Sequence, residues 1–122
     1  MVEEDALPTK GPLTPLQLDA YAEGPDEGVV WHLRTDELDL NLVAWSAGHG
    51  VSAHVNAACD VLLVGLRGEG ELRVDDTREA IESGTALVIP KGARRSIRAE
   101  GRLLYLSCHR RQPETFSSET LR

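Results

Sequence analysis

From Gly28 to Arg110 the sequence breaks into nine short runs of β-forming residues at nearly even spacing, bounded by Gly, Asp and Pro. The runs are VVWHLRT, LDLNLVAWS, GVSAHVN, DVLLVGL, GELRVDD, REAIES, TALVIP, RRSIRAE and RLLYLSCHR. Runs this short, separated by turn residues, predict an all-β sandwich or barrel. In ELDLNLVAW, Leu38, Leu40 and Leu42 alternate with Asp39 and Asn41, the period of two expected of a half-buried strand. After residue 27 there is no long helical apolar stripe and no internal repeat.

The segment before these runs has a different texture. Residues 1–27 carry Pro8, Pro12, Pro15 and Pro25 together with Gly11 and Gly24. That density predicts an extended arm with one short helical turn in TPLQLDAYA, lying on the barrel or on a partner subunit. Residues 28–110 then form the barrel. Residues 111–122, RQPETFSSETLR, read as a polar, mobile tail.

Composition limits the partners. An apolar content of 41% over 122 residues suits one domain with a modest core. The 13 Lys and Arg against 20 Asp and Glu leave a net charge of −7, which repels phosphate backbones and anionic lipid surfaces. Neither nucleic acid nor membrane is an expected partner. No apolar stretch approaches the roughly 20 residues that span a bilayer, and MVEEDALPTK is acidic where a signal peptide is basic, so a cytoplasmic protein is expected. Cys59 and Cys108 lack C-x-x-C spacing and read as unlinked, largely buried thiols.

Two glycine-bounded motifs follow one another. The first runs Gly48, five residues, His54, Val55, Asn56, three residues, Asp60, seven residues, Gly68. The second runs Gly84, five residues, Pro90, Lys91, Gly92, two residues, Arg95, three residues, Ala99. Over about residues 28–110 the chain resembles a small single-domain cupin, in the order and spacing of both family motifs. That resemblance implies a double-stranded β-helix, or jelly-roll barrel. The extra residue between Asp60 and Gly68 requires a bulge, and Gly65 inside VLLVGLRG is the expected place for it.

The family's metal ligands are three imidazoles and a carboxylate; by position this chain offers His54, Asn56, Asp60 and Arg95. A guanidinium has no lone pair to donate, and Asn is a weak ligand for transition metals. A metal cofactor is therefore not favoured. The resemblance places all four side chains toward the barrel interior, where they would bind a small polar or anionic molecule with Arg95 gripping its acid group. Two enzymatic alternatives stand beside this. One is a metal-dependent dioxygenase or isomerase with His54 and Asp60 as ligands and His109 as a non-standard third. The other is a metal-free acid/base enzyme of epimerase type, with Asp60 orienting His54. Arg95 with Asp60 as a buried ion pair is the structural alternative.

Other residues carry weaker expectations. His49 sits in a turn and His32 faces solvent, while Trp31 and Trp45 belong to the core or an interface. In RLLYLSCHR, Tyr105, Ser107 and His109 share a face opposite Leu104, Leu106 and Cys108, and the sequence leaves open which set is inside. With Arg95 inward, Arg94 points out into a basic rim. Exposed edge strands predict a homodimer. Walker A, G-x-G-x-x-G, H-E-x-x-H and G-x-S-x-G patterns do not occur.

Overall fold

The computed structural model describes Pro15 and residues 17–112. Most of the N-terminal arm and most of the polar tail lie outside the described residues. Nine strands form: β1 Gly28–Arg34, β2 Leu38–Trp45, β3 Gly50–Val55, β4 Val61–Arg67, β5 Glu69–Val74, β6 Thr77–Glu82, β7 Ala86–Ile89, β8 Arg94–Ala99 and β9 Leu103–Arg110. They make two antiparallel sheets, one of five strands ordered β1-β2-β9-β4-β7 and one of four ordered β3-β8-β5-β6. This is the all-β sandwich that the spacing predicted, with the jelly-roll arrangement that the resemblance implied. The helical turn expected in TPLQLDAYA is a single 3-10 turn, Leu18–Tyr21. Among the described residues no helix is long and apolar enough to cross a membrane.

The apolar core lies between the sheets. Val43, Leu63 and Tyr105 from the larger sheet meet Leu72, Ile81 and Ile97 from the smaller one, all 9% exposed or less. A second cluster forms on the outer side of the larger sheet, where Ala22 covers Leu42, Ala44 and Leu104, with Leu18 against them. Arg102 secures this crossing by donating from Nε to the carbonyl of Ala22 and from Nη2 to that of Asp26, at 3.2 and 3.0 Å. The described part of the arm therefore packs on its own barrel.

Two glycines fix the geometry near the middle of the barrel. The pairing of β4 with β9 slips between Gly65 and Arg67, the bulge expected from the motif spacing. A Cβ at Gly65 would collide with the carbonyl of Glu82, so close backbone approach demands glycine there. Gly68 turns the chain from β4 into β5 at φ +79°, a left-handed conformation that favours glycine.

Strand β2 turns Asp39 and Asn41 toward the interior, while its other face runs from exposed Leu38 to Leu42, fully buried beneath Ala22. Asp39 is 2% exposed and Asn41 is 8% exposed, whereas Leu38 on the opposite face is 44% exposed. Strand β1 makes this possible, because His32 Nε2 and Arg34 Nη2 meet the two oxygens of Asp39 at 2.7 and 3.2 Å. A buried carboxylate with two cationic or hydrogen-bonding partners is tolerable; one without them is not.

Candidate functional site

The site is a pocket between the sheets. The smaller sheet supplies the adjacent pair His54 and Arg95, and beyond it the pair Val51 and Ile97. The larger sheet supplies Asn41, Ser107 and Tyr105, with Val43, Val61, Leu63 and Ile89 completing the wall. About 400 Å³ of space lies within it, including solvent at its mouth.

Each polar side chain is there for a local reason. Strand β8 alternates Arg94 outward with Arg95 inward, and Arg95 is 3% exposed. On β9 the same alternation sends Tyr105 and Ser107 into the pocket, which answers the question of side that the sequence left open. Asn41 stands directly opposite Ser107 across the β2–β9 ladder. Tyr105 Oη accepts a hydrogen bond from Trp45 Nε1 at 3.2 Å.

Arg95 and His54 form the charged corner. Arg95 Nε donates to His54 Nε2 at 3.1 Å, and His54 Nδ1 lies 2.9 Å from the carbonyl of Ser52. Because a guanidinium only donates, His54 Nε2 must accept, which puts the ring proton on Nδ1, donated to Ser52, and leaves the imidazole neutral. Burial pulls the Arg95 guanidinium below its ordinary range, and the nearby Cys59 and Tyr105 partly offset this. It stays charged at neutral pH.

Two of the four expected wall residues lie elsewhere. Asn56 is buried but builds the turn after β3: its Oδ1 accepts from the backbone N–H of Ala58 and Cys59 at 2.9 and 3.3 Å. This is the ordinary turn-forming use of an Asn side chain. Asp60 is exposed and accepts from the Lys91 backbone N–H at 2.8 Å, pinning the PKG turn. Neither residue lines the pocket. No hydrogen bond or ion pair joins Asp60 to His54 or to Arg95 among the described residues, so neither the expected acid/base pair nor the expected buried ion pair forms.

His109 faces inward and is 4% exposed, but it lies off the pocket wall with Nδ1 2.8 Å from the carbonyl of Arg110. His54, Asp60 and His109 do not come together, and no group of three His, Cys, Asp or Glu suited to a metal occurs among the described residues. The donor set also fails on chemistry. The one imidazole nitrogen turned toward the pocket wall is 3.1 Å from a fixed cation, which opposes a divalent ion. The residues present do not fit the metal that cupins commonly hold.

Outside the pocket, His49 is exposed and bound to Glu27, 2.8 Å from Nδ1 to Oε1. His32 is partly exposed and serves Asp39. Cys59 is buried, and its sulfur receives Gln112 Nε2 at 3.2 Å. Both cysteines are unlinked. Sequence reasoning missed Asn41, Ser107 and Tyr105 as pocket residues; the alternation of β9 held the signal for two of them.

Solved structures resemble this architecture. The BH2720 protein of Bacillus halodurans superposes with a TM-score of 0.73 at 17% identity, over 90% of this chain and 89% of that one. A cupin superfamily protein of Desulfitobacterium hafniense, DSY2733, gives 0.66 at 21% identity, over 83% and 94%. KdgF from Halomonas sp. gives 0.62 at 18% identity, over 67% and 76%. No family model and no curated protein matches the sequence. At these identities the likeness carries the architecture alone, and that architecture is the small cupin jelly roll.

Proposed function

We propose that the chain is a cupin-fold binding module that takes a small anionic molecule between its sheets without a metal. The observation that supports this most is the pocket lining: among the described residues that form it, the one full charge is the buried guanidinium of Arg95, set among aliphatic walls. A positive charge in a low-dielectric pocket selects an anion, and its planar fork suits an acid group. His54 acts beside it as a neutral positioning group. Asn56 and Asp60 support the pocket from behind by fixing the turns at its rim. With this reading goes a cytoplasmic protein that engages neither nucleic acid nor membrane, in keeping with a net charge of −7.

Calorimetric titration of the purified protein with acetate, 3-methylbutanoate and inorganic phosphate tests the reading. The wild type is expected to bind at least one of these anions, and Arg95→Met to lose at least 30-fold in affinity while keeping its circular dichroism spectrum. Equal binding by the variant would contradict it.

A second reading concerns assembly and rests on a separate observation. On the outer side of the larger sheet, Leu33, Leu40, Cys108, Leu62 and Val88 stand in one unbroken cross-strand row over all five strands. The next row is Trp31, Leu42, Leu106, Val64 and Ala86, where Leu42 is already buried beneath the chain's own Ala22 and Leu18, so the open part of the face is the first row. Neither row contains a charge, in a chain that is 27% charged residues, and Leu62 and Val88 remain 39% and 65% exposed. We propose that this face packs on the same face of a second copy, an isologous contact that only a charge-free, self-matching surface allows in so acidic a protein. Sedimentation equilibrium should give twice the chain mass for the wild type and the chain mass for a folded Leu62→Glu variant. A monomeric wild type, with the face covered by the chain's own N-terminal residues or by nothing, would overturn it.

A further inference from the structure

We infer that the ligand is a short monocarboxylate with a branched apolar body and an oxo or hydroxyl group next to its acid, that is, a branched 2-oxo or 2-hydroxy acid. This rests on the anion-binding reading above and adds the rest of the molecule. Six of the eleven lining side chains are aliphatic: Val43, Val51, Val61, Leu63, Ile89 and Ile97. They come from both sheets, so a molecule held at Arg95 has hydrocarbon on either side.

Three competing ligand classes fit this lining less well. A sugar acid would press several hydroxyls against Val, Leu and Ile side chains that offer no partner, and each unpaired polar group costs free energy. A phosphate dianion would bring a strongly hydrated double charge against aliphatic walls that cannot solvate it. A bare acetate would leave the aliphatic walls wet. A carboxylate with a compact, branched hydrocarbon body presents an acid group to the guanidinium and apolar surface to the aliphatic walls that face it from both sheets.

The remaining polar groups specify the third feature. Asn41 and Ser107 are immediate cross-strand neighbours in the pocket wall, and both are buried. An amide that donates and accepts, beside a hydroxyl that does both, recognises one oxygen substituent whether it is a carbonyl or an alcohol.

Calorimetric titration with acetate, 3-methylbutanoate, 3-methyl-2-oxobutanoate and inorganic phosphate, against wild type and Ser107→Ala, tests the assignment. Each added methylene is expected to tighten binding about fourfold, so 3-methylbutanoate binds ~60-fold tighter than acetate. The 2-oxo acid is expected to bind tighter still, by about fivefold, with that extra gain lost in Ser107→Ala. If acetate or phosphate binds as tightly as 3-methylbutanoate, or if the oxo group brings no gain that Ser107→Ala removes, this ligand class is overturned while the anion site stands. If no anion binds, the anion-binding reading fails and this inference fails with it.

Discussion

Arg95 is held in β8 as the inward member of an alternating pair, and its burial carries a desolvation cost. Removing the charge relieves that cost and gives up the hydrogen bond to His54, two effects that oppose one another. Arg95→Met is therefore expected to melt within about 3 °C of the wild type, or above it, while losing the anion. A large fall in melting temperature would mean that the guanidinium is there to hold the sheets together. Glu27 makes the opposite case. Hydrogen bonds from Ser46 and His49 hold its carboxyl down at about 2, below the ordinary 4.5. A depressed folded value means the contribution is complete above the unfolded value and disappears as pH falls from about 4.5 toward 2. Melting temperatures across that window should fall more steeply for the wild type than for Glu27→Gln.

At the scale of elements, Gly65 and β2 mark what alternation and spacing can and cannot reveal. The bulge beside Gly65 was legible because one extra residue between two turn glycines has to be absorbed somewhere, and glycine in a strand marks where backbones approach. Gly65→Ala drives a methyl into the Glu82 carbonyl and is expected to cost about 2–3 kcal/mol in urea unfolding. A change under about 0.5 kcal/mol would mean that β4 and β6 are not so closely apposed. The burial of β2 was not legible, since a period of two looks the same whichever face is inside. The partners that admit Asp39 to the interior sit on β1, and the row that holds Leu62 runs over all five strands. The same limit applied to the site. His54 and Arg95 were legible by position and meet across β3 and β8, whereas Asn56 and Asp60 spend their oxygens on turns that only the folded chain reveals.

At the scale of the whole molecule, two surfaces of opposite character share one chain. The interior pocket sets one guanidinium among aliphatic groups, in a chain whose net charge is −7. The outer face of the larger sheet carries no charge in its two central rows, so self-association through it would not press like charges together there. Folding coupled to dimerisation makes stability depend on protein concentration. The melting temperature should rise with each tenfold increase in concentration for the wild type and stay constant for Leu62→Glu.

The claim that an anion sits at Arg95 is tested most directly by following the Arg95 Nε–H resonance in a ¹⁵N-labelled sample titrated with 3-methylbutanoate. That proton is donated to His54 Nε2 in the described structure, so an acid group arriving at the guanidinium has to move its signal. A saturable shift of this resonance is expected, together with shifts at Asn41 and Ser107 that disappear in Arg95→Met. A resonance that stays in place while the ligand binds and shifts signals elsewhere would contradict it.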